Sequence, residues 1–201
     1  MPIHDDSELV RRALKREESA FEDLVRLYEE LVARTVYRIT RREDWVEDLA
    51  QEVFLKAFEG LGRFRRSSGF STWLYRITVN TSLDALRKWG NERKGRENML
   101  FNKDAIAWPL ISGEGRDGEK IVLDREKQSR IREAIDAMEP ATRAILVLRY
   151  MEELSISQVA SVLEIPEGTA RSRLYYARIE LSRRLRPYLM SASHRTNTKE
   201  S

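Results

Sequence analysis

The chain contains no cysteine. That excludes disulfides and thiolate metal sites, and it fits a reducing compartment. Histidine is nearly absent: His4 and His194 stand close to opposite ends, so neither a zinc site nor a histidine-based catalytic centre is expected. Long apolar runs are missing as well. "AILVL" at Ala144–Leu148 is too short to cross a bilayer, and no membrane insertion is expected. The opening residues, MPIHDDSELV, are acidic and lack the apolar core of an export signal, so a cytoplasmic location is expected. Proline and glycine are scarce outside one stretch, and no segment keeps the two-residue alternation of a strand. The sequence has 201 residues, of which 41% are hydrophobic and 34% charged, enough to bury cores and stay soluble. A net charge of +3 does not make a polycation, so what matters is where the charges lie.

The periodicity is helical nearly throughout, and an all-α fold of two small helical domains joined by a flexible linker is expected. A first helix is expected after Asp5 or Asp6, and a second over "ESAFEDLVRLYEELVARTVYRIT", with Phe21, Leu24, Leu27 or Tyr28, Leu31 and Thr35 at helical spacing. Thr40 and Glu43 read as a capping box for the third helix, which Gly60 and Gly62 end. A fourth helix follows the basic loop "RFRRSSG". The pattern then fails, with Gly95, Pro109, Gly113, Gly115 and Gly118 among scattered charges. The expected division is a first domain over 1–90, a linker over 91–126, a second domain over 127–190, and a disordered tail over 191–201. "MLF" and "IAWPLI" are apolar islands in the linker. In the second domain Pro140 is placed to open a helix, and Ser155 with Gln158 reads as another capping box.

"SISQVASVLEIPEGTARSRLYYARIELSRRL" has the layout of a helix-turn-helix. Ala160 permits close approach, and Val159, Val162, Leu163 and Ile165 supply packing. On the following helix Ala170, Leu174, Ala177 and Leu181 make one buried stripe. Arg171, Ser172, Tyr175, Tyr176 and Arg178 lie off it, where an arginine can bond guanine in the major groove. Arg173, Arg183, Arg184 and Arg186 are placed for phosphates. The plain alternative is a solvated amphipathic helix.

The stretch "GFSTWLYRITVNTSLDALRKWGNERK" poses a different question. Arg76, Asn80 and Arg87 fall along one strip of a helix, with Trp73 and Asp84 at its edge. Asparagine is an indifferent helix former, so its place mid-helix points to a hydrogen-bonding role. With Phe64, Arg65, Arg66 and Ser67 brought in from the preceding loop, the strip suits an unstacked base of single-stranded DNA. Trp73 by itself reads better as core. On the helix before it, Asp44, Glu47, Asp48, Gln51 and Glu52 form an acidic face. That face would repel phosphate, so it meets a protein or serves solubility alone. A magnesium site on Glu47, Asp48 and Glu52 lacks complementary ligands and a phosphate-binding glycine loop. No cofactor is expected, and the chain is not expected to be an enzyme.

"DLAQEVFLKAF", then "FSTWLYRITVN", then a linker, then "RAILVLRYMEELSISQVASVLEIPEGTARSRLYYAR", resembles the extracytoplasmic-function group of bacterial sigma-70 factors, over about Glu18 to Leu189. The resemblance implies an RNA polymerase sigma factor with a promoter-melting and a −35-reading domain, without the larger additional domains of housekeeping factors. It implies that Asp48, Gln51 and Glu52 dock on the β′ clamp helices. Asn80 would hold a flipped −10 base in a pocket lined by Lys56 and the loop Phe64 to Ser67, with Arg76 and Arg87 beside it. Arg171, Ser172, Arg173, Tyr175, Tyr176 and Arg178 would meet the −35 duplex. The partners implied are core RNA polymerase through its β′ clamp helices and β flap, promoter DNA in duplex and single-stranded form, and an anti-sigma factor. The sequence departs from the family at Tyr176, where relatives often carry a basic residue, and at "IAWPLI", which is more apolar than a channel segment should be. The rival to this reading is an autonomous helix-turn-helix regulator.

Overall fold

The computed structural model describes residues 6–64, 69–94 and 129–196. Arg65, Arg66, Ser67, most of the expected linker with its "MLF" and "IAWPLI" segments, and the last five residues lie outside them. Among the described residues the chain is helical and carries no strand. The first unit is α1 (Ser7–Leu14), α2 (Glu18–Thr40), α3 (Val46–Gly60) and α4 (Phe70–Lys94). The second is α5 (residues 129–136), α6 (Pro140–Leu146), α7 (Ile156–Leu163) and α8 (Glu167–Thr196).

The central helix of the first unit is α2, against which α1, α3 and α4 pack. Its buried stripe is Ala20, Leu24, Tyr28, Leu31, Val32, Thr35, Val36 and Ile39, the three-and-four spacing that keeps one face inward. Leu49, Val53 and Ala57 supply the facing stripe of α3 at four-residue steps. Phe70, Trp73, Leu74, Tyr75 and Val79 do so for α4. That helix also buries hydroxyls. Thr78 Oγ1 donates to the Leu74 carbonyl at 2.8 Å and Ser82 Oγ to the Thr78 carbonyl at 2.8 Å. The backbone four residues back therefore absorbs polarity that burial would otherwise penalise.

The helix between residues 18 and 40 matches the sequence pattern, but its end does not. Thr40 and Glu43 form no capping box. Thr40 is the last residue of α2, and its hydroxyl donates to the Val36 carbonyl at 2.8 Å and accepts the Arg42 N–H at 3.2 Å. The chain turns through a 3₁₀ segment, Glu43–Trp45, before α3 begins. Arg41 closes α2 in the left-handed region at φ 58°, a conformation that disfavours side chains by about 1–2 kcal/mol. Its guanidinium lies 4.6 Å from the centre of the Tyr37 ring and pairs with Asp136 at 2.8 Å. Two other caps are as expected. Pro140 opens α6, where the Glu139 carboxylate accepts the Thr142 N–H. Ser155 and Gln158 close a reciprocal box at 3.2 and 2.8 Å. Helix α8 continues through residues 191–196, expected from the sequence to lie in a disordered tail, and α4 runs to Lys94, into the expected linker. In α8 no glycine or further proline follows Pro187 to stop the helix.

The two units meet where α6 touches α2 and α7 touches α4. Arg143 is buried at this seam. It donates to the Ile39 carbonyl at 2.7 Å, and to the Asp136 and Met138 carbonyls at 2.7 and 3.0 Å. A cation thus sits at the C-terminal carbonyls of α2, where the helix dipole favours it. Burial pushes the Asp136 carboxyl above its ordinary value even with Arg41 and Arg143 beside it. A raised carboxyl pKa means the folded chain binds that proton more tightly than the unfolded chain. The contribution is therefore full below the ordinary value and is lost as pH rises through the raised one.

Leu74→Ala should destabilise the first unit by about 2–5 kcal/mol, and Ser155→Ala the second by about 1 kcal/mol, both measurable by denaturant titration. Asp136→Asn should flatten the decline in melting temperature from about pH 4 towards neutrality, read by calorimetry against the unsubstituted chain.

Candidate nucleic-acid interface

The second unit builds its exposed face on α8. Glu164 ends α7 in the left-handed region at φ 53°. Ile165 and Pro166 carry the chain across, and α8 opens at Glu167. Ala170 and Ala177 are buried, with Leu174 and Leu181 half-buried beside them. This stripe fixes the rotation of the helix. Arg171, Ser172, Arg173, Tyr175, Tyr176 and Arg178 consequently all lie exposed. The Tyr175 and Tyr176 rings meet edge to face at 5.5 Å, two large apolar surfaces presented to solvent. Arg171 pairs with Glu167 and Ser172 Oγ donates to the Gly168 carbonyl at 2.9 Å. Arg173 and Arg178 have no ion-pair partner among the described residues.

The first unit builds its polar surface on α3 and α4. Asn80 is exposed on α4. Arg76, four residues before it, pairs with Glu164 of the second unit at 3.2 Å. Lys56 reaches across from α3, donating to Thr81 Oγ1 at 3.1 Å and pairing with Glu52 at 2.6 Å. Arg87 pairs with Asp84 at 3.0 Å. Phe64 is half-buried, its ring centre 5.8 Å from Phe70 and 5.2 Å from Trp73. Trp73 itself is buried. A side chain at Gly60 would begin 3.2 Å from its ring, so Trp73 is a packing residue that shapes the site without facing solvent. Arg65 and Ser67, expected beside Phe64, lie outside the described residues.

Asp48, Gln51 and Glu52 are exposed on α3 as their spacing requires. The structure adds a feature that spacing does not show. Asp48 and Glu52 line the same groove, of about 600 Å³, as Lys56, Thr81 and Arg87. The acidic face and part of the basic strip therefore share one surface. Neither Asn80 nor Phe64 is in its lining. At one end of the groove Trp45 and Trp89 meet edge to face at 6.0 Å, with the Arg42 guanidinium 4.7 Å from the first ring centre and 5.3 Å from the second. Hydrogen bonds from Arg42 hold the Asp44 carboxyl below its usual range. The aromatic pair escapes sequence reasoning because its members stand on different helices and share no repeat. Thr81 was overlooked beside Asn80. Among the described residues no group of His, Asp and Glu converges as metal ligands, and no helix is long and apolar enough to cross a membrane.

Comparison with known proteins agrees with this layout. Residues 24–92 match the family model of sigma-70 region 2, and residues 128–181 match that of sigma-70 region 4. The chain is 31% identical over 187 residues to the RNA polymerase sigma-H factor of Pseudomonas aeruginosa, covering 93% of this chain and 97% of that protein. It is 33% identical over 189 residues to the ECF RNA polymerase sigma-E factor of Escherichia coli strain K12, covering 92% and 96%. The fold is similar to that of the sigma factor RpoE from Bartonella quintana, solved in complex with the anti-sigma factor NepR. The TM-score there is 0.64 at 21% identity, over 83% of this chain and 96% of that one. Two region models in order, with full-length relatives, define a promoter-specificity subunit. The chain belongs to the sigma-70 family of RNA polymerase sigma factors, in its extracytoplasmic-function group. Its task is to direct polymerase to promoters, and it is not itself an enzyme.

Removing the ring that covers Trp73 tests the packing of this site. Phe64→Ala should leave helix content intact, cost about 1–2 kcal/mol, and raise acrylamide quenching of tryptophan fluorescence.

Proposed function

We propose that this chain reads a promoter at two places and melts one of them. Residues 127–190 form the −35-reading domain. There α8 enters the major groove with Arg171, Ser172, Arg173, Tyr175, Tyr176 and Arg178, the arginines bonding guanine edges or phosphates. Tyr176 contributes an aromatic edge where a cation would give a phosphate contact, so the −35 preference differs from that of relatives with a basic residue. Residues 1–90 form the domain that captures the −10 element, joined to the other by the linker over 91–126 and followed by the tail over 191–201. Asn80 bonds a base flipped from the duplex. Lys56, Phe64, Arg65 and Ser67 surround that base, and Arg76 and Arg87 hold the strand.

Unstacking costs a few kcal/mol for each step, and base capture offsets part of it. Asp48, Gln51 and Glu52 dock on the clamp helices of core polymerase, while the second domain meets the β flap. The anti-sigma factor bound to the Bartonella relative indicates the kind of inhibitor expected here, and the chain works in the cytoplasm, where its polymerase is.

The observation that supports this reading best is the pair of exposed polar surfaces, one on α8 and one around Asn80, on separate units. Asn80→Ala should lower open-complex formation by about 10-fold, equivalent to about 1.4 kcal/mol. Permanganate footprinting would read the melting, with core binding unchanged in a parallel titration. Normal melting by that variant would remove Asn80 from the site.

A further inference from the structure

We propose that Arg34, Arg38 and Tyr75 form a carboxylate socket on the first unit, that Glu152 of the second unit fills it, and that promoter binding requires it to be vacated. The inference rests on the sigma-factor reading for what opening achieves. The socket itself rests on geometry alone.

Glu152 has no exposed side-chain surface. Its Oε1 accepts from Arg38 Nη1 at 2.6 Å. Its Oε2 accepts from Arg34 Nη2 at 3.1 Å and from the Tyr75 hydroxyl at 2.7 Å. All three donors come from α2 and α4, and the acceptor comes from the other unit. Arg38 also donates to the Met151 carbonyl at 3.2 Å, gripping the backbone beside the carboxylate. Burial and the adjacent carboxylate push the Tyr75 hydroxyl far above its usual range, so it stays a donor.

The backbone that delivers Glu152 is irregular. Helix α6 widens into a π turn over Val147–Met151, and the Glu152 N–H bonds the Val147 carbonyl at 3.0 Å. Glu153 follows in the left-handed region at φ 55°. Such widened turns are uncommon and concentrate at functional positions. Here the turn carries the carboxylate into the seam between units.

Three further links ring the socket: Arg143 to the Ile39 carbonyl, Arg41 to Asp136, and Arg76 to Glu164. The last has a direct consequence. Arg76, assigned above to the −10 strand, is held by the residue that ends α7 in the helix-turn-helix. Closure and strand binding therefore compete for one guanidinium.

Reach leads to the same conclusion. Elements near −35 and −10 are separated by roughly 20 base pairs, or about 70 Å at 3.4 Å each. A compact body of 200 residues is only about 45 Å across. Units in contact along this seam cannot read both elements of a straight duplex. The socket is suited to opening because each of its groups regains water when the units part. Buried ion clusters are close to balanced between desolvation and attraction, so the cost of opening falls mainly on the apolar contacts that run from one unit into the other.

The absence of cysteine makes the test direct. Spin labels on cysteines introduced at Glu29 and Ser157, both exposed, report the distance between units in the free full-length chain. The unsubstituted interface should give one narrow, short distribution. Glu152→Gln keeps the shape but turns an amide donor towards arginine donors. It should broaden and lengthen that distribution, and raise apparent affinity for core polymerase several-fold as the open fraction grows. An unchanged distribution in Glu152→Gln overturns the socket, as does a broad, long one in the starting protein.

Because Glu152→Gln also alters a buried position, a second measurement uses a native-like interface. Cysteines replacing Arg41 and Asp136 are bridged by a reducible bis-thiosulfonate. The bridged protein should lose promoter-specific transcription and recover it on reduction. Full activity while bridged overturns the requirement for opening. A chain that supports no promoter-specific starts in any form fails the sigma-factor reading instead, and the distance measurement still decides the socket.

Discussion

A carboxylate with no exposed surface has to meet its counter-charges inside the protein, and Glu152 meets them on the other unit. That constraint orients the molecule. Arg34 and Arg38 are one turn apart on α2, and Tyr75 is fixed on α4 by its neighbours in the core. The carboxylate can satisfy all three only if the second unit arrives with its π turn against the junction of α2 and α4. The buried Arg143 guanidinium, capping the end of α2, then falls into place on the same seam. Apolar side chains of both helical units join in one continuous core, and the buried charges register one unit against the other within it.

The first unit faces a harder problem in α4, which must be core and binding surface at once. It solves this with small hydroxyl residues. Thr78 and Ser82 turn inward and return their hydrogen bonds to the helix, while Thr81 takes the Lys56 ammonium. Asn80, between them in sequence, is left outward. Phe64, Phe70 and Trp73 meet in edge-on and tilted contacts at the start of the helix. Arg76, Asn80 and Arg87 stand on the helix itself, which spares them the ordering cost of a loop-borne site.

Helix positions and core stripes were legible in the sequence because they repeat every three or four residues within one segment. The 18–40 helix, the Leu49–Val53–Ala57 stripe and the Ser155–Gln158 box all have this local character. Helix ends were less legible. Thr40 and Glu43 have the spacing of a capping box, but α2 runs far enough for Thr40 to bond its own helix, and an arginine closes it where glycine would be looked for. Candidate surface residues on α8 emerged correctly as exposed because the buried stripe dictates them. The Glu152 socket, the Arg76–Glu164 pair and the Trp45–Trp89 contact were not legible. Each joins residues far apart in the chain, and nothing in local periodicity encodes the partner.

The most direct test is transcription itself. Purified protein, core RNA polymerase and fragmented genomic DNA of the host would be combined, and the RNA 5′ ends mapped. A promoter-specificity subunit yields discrete new starts that share two upstream motifs at fixed spacing. Starts no more frequent than with core alone, together with tight binding of the free protein to a single duplex motif, would contradict the account. That outcome would leave an autonomous helix-turn-helix regulator in its place.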